Sequence, residues 1–237
     1  YNSTNNTWTY VKSVGSGTTT TITGLKPGVY SYNVKAYVKK NGTVQYSAFT
    51  KSVRAAILTK PVIKSATALN SKKIQLTWNS VKGASGYNLY RYNTATKKYD
   101  YVKSVRGTTT TDTISKPGTR YCYRVRAYYK NNVDTGTQYS AYSETKLAAG
   151  VAAVGGLKTE SLIGKGIKIS WNKAVGATGY SVYRYNSSTK SWTFLKKTTA
   201  LNYVDNSVSA GVTYSYKVRP YCKMDDVSCY GQYSSVK

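Results

Sequence analysis

The chain has 237 residues, and its 35 Lys and Arg stand against 8 Asp and Glu, a formal net charge of +27 with no histidine at all. The missing histidine removes the commonest general base and metal ligand, and no run approaches the ~20 apolar residues of a membrane-spanning helix. The basic excess runs along the whole chain, with no acid in residues 1–60. Such a spread favours long-range attraction to polyanions: nucleic acid, teichoic-type polymers, acidic glycans or an anionic membrane surface.

In chain order, the sequence is one unit written nearly three times. It opens at Tyr1-Asn2, which matches Tyr92-Asn93 and Tyr185-Asn186 near the middle of the later copies. The strands that should precede this point are absent, so residues 1–58 are expected to be a partial repeat excised from a longer array. Residues 59–147 and 148–237 are the complete copies, and their period of about 90 residues suits an independent small domain rather than a solenoid unit. In the second copy, residues 72–78 alternate with period two and place Ile74, Leu76 and Trp78 on one face; Ile167, Ile169 and Trp171 repeat the pattern. Gly83-Ala84-Ser85-Gly86, Arg106-Gly107 and Lys116-Pro117-Gly118 are turn signals. Beyond them, Tyr121, Tyr123, Val125 and Ala127 face inward, against outward Cys122, Arg124, Arg126 and Tyr128. The Gly-broken apolar run at residues 147–157 reads as a linker, and Gly150, Gly155 and Gly156 permit it to bend. With no sustained helical stripe and seven or so strands per copy, the fold class is all-β: tandem antiparallel β-sandwiches, the first incomplete.

Trp78 and Trp171 on the second strand, Tyr87 and Tyr180 opening the third, and Pro-Gly-x-x-Tyr-x-Tyr-x-Val-x-Ala at residues 117–127 resemble fibronectin type III domains. Within that family they are similar to the tandem versions of secreted and surface proteins of Gram-positive bacteria. The resemblance implies an immunoglobulin-like sandwich and makes Tyr30, Tyr121 and Tyr214 candidates for the tyrosine corner, where a phenol hydroxyl bonds back to nearby backbone. These tyrosines and the two tryptophans are expected in the core. Gly211 lacks the proline that precedes Gly28 and Gly118. Pro220 stands where Ala36 and Ala127 do, which suggests a bulge or an edge.

Little here promises catalysis. The acids are isolated apart from Asp225-Asp226, no phosphate-cradling glycine motif occurs, and a thiol nucleophile at Cys122 would lack a histidine. Asp112 and Asp205 occupy matching places. One carboxylate per copy makes a poor calcium site, so both are expected to stabilise turns. No metal and no cofactor is expected. Cys222 and Cys229 flank a loop across which they could face each other, and closing it as a disulfide would stabilise by roughly 2–3 kcal/mol. That bridge would imply an oxidising, extracellular setting.

Binding has better support. Outward on the penultimate strand stand Arg124, Arg126 and Tyr128, then Lys217, Arg219 and Tyr221, with Lys35 and Tyr37 in the first copy. The neighbouring strand supplies Tyr90 and Tyr92, or Tyr183 and Tyr185, and the next an aromatic in each copy: Trp8, Tyr99 and Trp192. Arranged as in the family, they line one solvent face with cations beside rings, able to stack sugars or hold acidic groups. The expected partner is an acidic glycan, a cell-wall polymer or a host glycoprotein such as mucin or immunoglobulin, with nucleic acid the weaker option. A passive spacer carrying another domain is the alternative. The competing view of the face is an exposed sheet in which Tyr fills strand positions and Lys and Arg protect edges.

Overall fold

The computed structural model describes residue 1, residues 7–131 and residues 136–237; Asn2, part of the opening match, lies outside them. Four strands belong to the first copy: β1 (Gly28–Tyr32), β2 (Tyr37–Lys40), β3 (Thr43–Tyr46) and β4 (Val53–Ile57). β1 pairs with β4 and β2 with β3, all antiparallel. β2 and β3 are exposed along their whole length, and no residue before Ile63 is among the buried hydrophobic residues of the core. The physical reason is plain: a single sheet layer has no second layer to bury its face against.

The second copy has both layers. Its strands are β5 (Ile63–Asn70), β6 (Lys73–Trp78), β7 (Gly86–Asn93), β8 (Lys98–Val105), β9 (Thr109–Thr113), β10 (Tyr121–Lys130), β11 (Thr137–Tyr139) and β12 (Lys146–Ala148). One sheet runs β5-β6-β9; the other runs β8-β7-β10, with β11 and β12 sharing the far edge of β10. The third copy repeats this with β13 (Lys158–Leu162), β14 (Gly166–Ser170), β15 (Gly179–Asn186), β16 (Ser191–Thr198), β17 (Asn202–Asp205), β18 (Tyr216–Met224) and β19 (Val227–Tyr230). Its sheets are β13-β14-β17 and β16-β15-β18-β19. These are tandem antiparallel sandwiches in the fibronectin type III arrangement.

The expected inward residues form the cores. Ile74, Leu76, Trp78, Tyr87, Leu89, Tyr123, Val125 and Ala127 cluster in the second copy. Ile169, Trp171, Tyr180, Val182, Tyr216 and Val218 do so in the third. The rings of Trp78 and Tyr87 lie 5.5 Å apart, as do those of Trp171 and Tyr180. Each of these tyrosines also accepts a backbone N–H six residues upstream, from Val81 at 2.8 Å and Ala174 at 3.0 Å.

The tyrosine corner recurs in all three copies. Tyr30 donates to the Lys26 carbonyl at 2.6 Å, Tyr121 lies 3.1 Å from the Lys116 N–H, and Tyr214 accepts from the Ser209 N–H at 3.0 Å. These three tyrosines are only half-buried, not core residues, because the hydroxyl has to reach the outer turn.

Three further expectations are corrected. Asp112 and Asp205 are not simply turn residues. Asp112 is buried on β9 and accepts from Arg91 at 2.7 Å and from the Tyr123 hydroxyl at 2.7 Å, both on the opposite sheet. Asp205 on β17 takes Arg184 at 2.8 Å and Tyr216 at 2.9 Å, and in addition caps Ser207. Each of the two complete copies thus ties its two sheets with an Arg–Asp–Tyr triad centred on a buried aspartate.

Pro220 makes neither a bulge nor an edge. β18 lies between β15 and β19, and Tyr180 pairs with Pro220 in unbroken register. In the other copies the Ala36 and Ala127 N–H groups donate to Ser47 and Ser140 Oγ, both at 2.9 Å. In the third copy proline has no N–H and Gly231, opposite it, has no hydroxyl, so donor and acceptor vanish together at little cost. The Gly231 carbonyl is served by Arg219 Nε at 2.9 Å instead.

The linker is a packed joint. Ala148, Ala149 and Val151 are fully buried, and Ala149 and Val151 join Ala68, Cys222 and Cys229 in a third apolar cluster between the copies. Gly118 N–H donates to the Gly150 carbonyl at 2.9 Å. Gly176, at φ +82°, presses on that same carbonyl and on Gly118, where any Cβ would collide. Gln232 reaches the Ala68 carbonyl at 3.1 Å across the joint.

Candidate functional site

The outer face of the larger sheet gathers most of the expected residues, with a geometry that alternation alone does not give. A register shift between Leu89 and Tyr90 sets Tyr90 opposite Tyr101 and Tyr92 opposite Tyr99. The same irregularity in β15 pairs Tyr183 with Phe194 and Tyr185 with Trp192. All four are ring contacts, with centroids 5.3–5.9 Å apart.

Cations from the neighbouring strand lie over these rings. In the second copy Arg124 sits 4.5 Å from the Tyr99 centroid. Arg126 is held among Tyr139 at 3.9 Å, Tyr142 at 5.0 Å and Tyr90 at 5.2 Å, and its Nε donates to the Tyr90 hydroxyl at 3.0 Å. In the third copy Lys217 lies between Trp192 and Tyr233, and Arg219 between Tyr230 and Tyr233. In the first, Lys35 lies over Tyr46 and Phe49. Each copy therefore builds a ladder of rings and cations. One such contact is worth about 0.5–1 kcal/mol at an exposed site and more when desolvated.

The last strand supplies two rings to every ladder. Its pattern is Tyr46-Ser47-Ala48-Phe49-Thr50, Tyr139-Ser140-Ala141-Tyr142-Ser143 and Tyr230-Gly231-Gln232-Tyr233-Ser234. Thr50, Ser143 and Ser234 each accept a backbone N–H through the side-chain oxygen at 3.0 Å, from Val34, Val125 and Val218. The backbone N–H of the same three residues returns to those valine carbonyls. This double stitch lets the chain advance three residues per repeat of the contact. Both aromatics then land on the same face, over one cation. The sequence reading missed Tyr139, Tyr142, Tyr230 and Tyr233; the signal was their three-residue spacing, which a search for period two passes over.

Several expected site residues are placed elsewhere. Tyr90 is buried beneath Arg126 and Tyr142 rather than open to solvent. Tyr128 and Tyr221 lie across Gly86 and Gly179 so closely that a Cβ there would meet the phenol oxygen, at 2.5 Å for Gly86 and closer still for Gly179. They cover glycine, their cross-strand partner. In the first copy Trp8 packs on Tyr1 at 5.1 Å, and Tyr37 pairs with Tyr46.

The expected disulfide is not formed. Cys222 and Cys229 are directly paired across β18 and β19, as anticipated, but both are free thiols. Cys222 Sγ–H points to the Gly118 carbonyl at 3.4 Å, into the joint between copies. Burial pushes the Cys229 thiol up to about 11. Among the described residues, no group of three or more His, Cys, Asp and Glu side chains could hold a metal.

No protein-family model and no curated protein matches the chain. Solved structures are similar to it in part. They include a β-1,2-glucanase from Parabacteroides distasonis (25% identity, TM-score 0.34), matched over 40% of this chain but only 13% of that one. The FN1-FN3 domains of chicken CNTN1 align with 86% of this chain and 75% of theirs at 13% identity and TM-score 0.34. FN3tt aligns with 39% of this chain and 96% of its own at 23% identity and TM-score 0.30. The chain spans about an eighth of the glucanase's length. No described helix is long and apolar enough to cross a membrane.

Proposed function

We propose that this chain is a non-catalytic adhesion module of a secreted or surface-attached protein, of the kind found in Gram-positive bacteria. Its divisions are the partial repeat 1–58 and the repeats 59–147 and 148–237. Its ligand is an anionic glycan, a cell-wall polymer or the acidic sugars of a host glycoprotein. One observation carries this reading: a strongly basic chain repeats, in every copy, cations held upright between aromatic rings on one sheet face. Rings fix the cation's position without neutralising its charge, so part of the ordering cost of binding is already met. The test is retention of the intact chain on heparin, polygalacturonate and lipoteichoic acid at increasing salt. Retention should fall with salt and with Arg124→Ala/Arg126→Ala; salt-independent or absent retention refutes it.

A passive spacer is the second reading, and the packed joint around Gly118, Gly150 and Gly176 favours it. A spacer gains from a fixed angle between copies and needs no ligand. It predicts no saturable binding to any of these polymers.

A further inference from the structure

Beside the second copy's ladder lies an open groove of roughly 460 Å³, lined by Tyr92, Thr94, Tyr99, Arg120, Cys122 and Thr145. That volume falls within the range of small-ligand sites. One part of it is aromatic, the paired rings of Tyr92 and Tyr99. The polar part is a connected set: the Tyr99 hydroxyl and Thr145 Oγ1 lie 2.9 Å apart, and Arg124 Nε donates to the same Thr145 at 2.9 Å. No lining residue is acidic. Among the described residues the Arg120 guanidinium faces only a loose partner, Asp225 of the third copy at 3.3 Å, and both side chains are more than half exposed. An exposed pair of this kind contributes about 0–1 kcal/mol, so a ligand carboxylate can replace it.

We infer that this groove is a subsite for a carboxylate-bearing sugar, a uronic or sialic acid, with Arg120 taking the carboxylate and Tyr92 and Tyr99 the ring. The inference rests on the binding reading above and narrows it. A guanidinium fork matches a carboxylate in a two-bond grip. Tyrosine rings suit the C–H face of a pyranose, and the Thr94, Thr145 and Tyr99 hydroxyls suit its hydroxyls. An inorganic anion would use the arginine and leave the rings idle. The site belongs to the second copy alone. In the third, Thr213 stands for Arg120, Ser215 for Cys122 and Val236 for Thr145; in the first, Val29 stands for Arg120. The ladders are common to the copies, but this groove carries a forked cation only once.

The experiment is isothermal titration of the intact chain with trigalacturonic acid and sialyllactose, with cellotriose and inorganic phosphate as comparisons. One acidic oligosaccharide should bind at one equivalent. Arg120→Thr, which installs the third copy's residue at an exposed site, should weaken it by about tenfold or more. Asp225→Ala, which releases Arg120, should strengthen it, and Lys165→Ala, in the exposed turn between β13 and β14, should leave it unchanged. Binding of neither acidic sugar, indifference to Arg120→Thr, or equal affinity for inorganic phosphate overturns the inference. If polyanion retention persists under any of those results, the subsite fails and the broader reading stands; if no polyanion is retained, both fail.

Discussion

The Arg91–Asp112–Tyr123 triad offers a direct test of how the two sheets are tied. Asp112→Ala strands two donors. The Tyr123 hydroxyl is fully buried, and leaving it unsatisfied costs about 1–3 kcal/mol. Arg91 fares better, because its side chain is about a third exposed and it keeps the Thr113 carbonyl at 3.2 Å. Its loss therefore lies well below the roughly 3–5 kcal/mol of a fully buried broken pair. The sum is about 3 kcal/mol. Tyr123→Phe keeps the ion pair and should cost about 1 kcal/mol. In the double variant no hydroxyl is left stranded, so the two losses should fall short of additivity by about 1 kcal/mol or more. Urea unfolding of the intact chain, followed by near-ultraviolet circular dichroism, measures all three variants. A loss under 1 kcal/mol for Asp112→Ala, or strict additivity, refutes the account.

Three more expectations follow from the same structure. Burial opposes the charge on Asp205, but hydrogen bonds from Ser207, Tyr216 and Arg184 outweigh it and hold its pKa below the ordinary carboxylate value. The stability it contributes is present above the unfolded-state pKa of about 3.9 and is lost as pH falls through the lower folded value. Asp205→Asn should therefore flatten the acid limb of a stability-against-pH curve, and an unchanged limb would contradict this. Gly176→Ala puts a Cβ against the Gly150 carbonyl in a left-handed conformation. Calorimetry should then show the second and third copies melting separately, where the parent chain melts them together. In thiol titration, half-buried Cys122 should react first and buried Cys222 and Cys229 slowly, with three equivalents after denaturation. Only one equivalent in denaturant would mean that the pair is bridged.

The fold was legible because the features that specify it are local and repeated. Period-two alternation located Ile74, Leu76 and Trp78, and turn glycines separated the strands. The triads were not, because Arg91, Asp112 and Tyr123 lie on three strands and meet only once the sheets stack. Asp112 looked like a turn residue because it sits near a turn; its partners come from the other layer. The linker misled for a related reason. Gly150 suggests freedom in isolation, whereas in the fold a glycine is needed where the Ser71 carbonyl and the Ile114 side chain crowd in. The cations of the candidate face were found from alternation, but their aromatic partners on the last strand follow a three-residue rhythm. Tyr128 and Tyr221, outward by pattern, proved to be the cover for Gly86 and Gly179.

The exchange of Ala127 and Ser140 for Pro220 and Gly231 bears on how such an array avoids entangling itself. Neighbouring copies this alike can trade strands while folding, a characteristic failure of repeat proteins. A last strand from the third copy laid on the second would leave the Ala127 N–H with no acceptor. The reverse trade would set a serine against the Pro220 ring and the Val151 carbonyl, 3.1 Å and 3.0 Å from where its Cβ must go. Either wrong partnership is marked by a mismatch at a single rung. The third copy thus carries a key cut differently from its neighbour's, at a position where neither native lock loses stability.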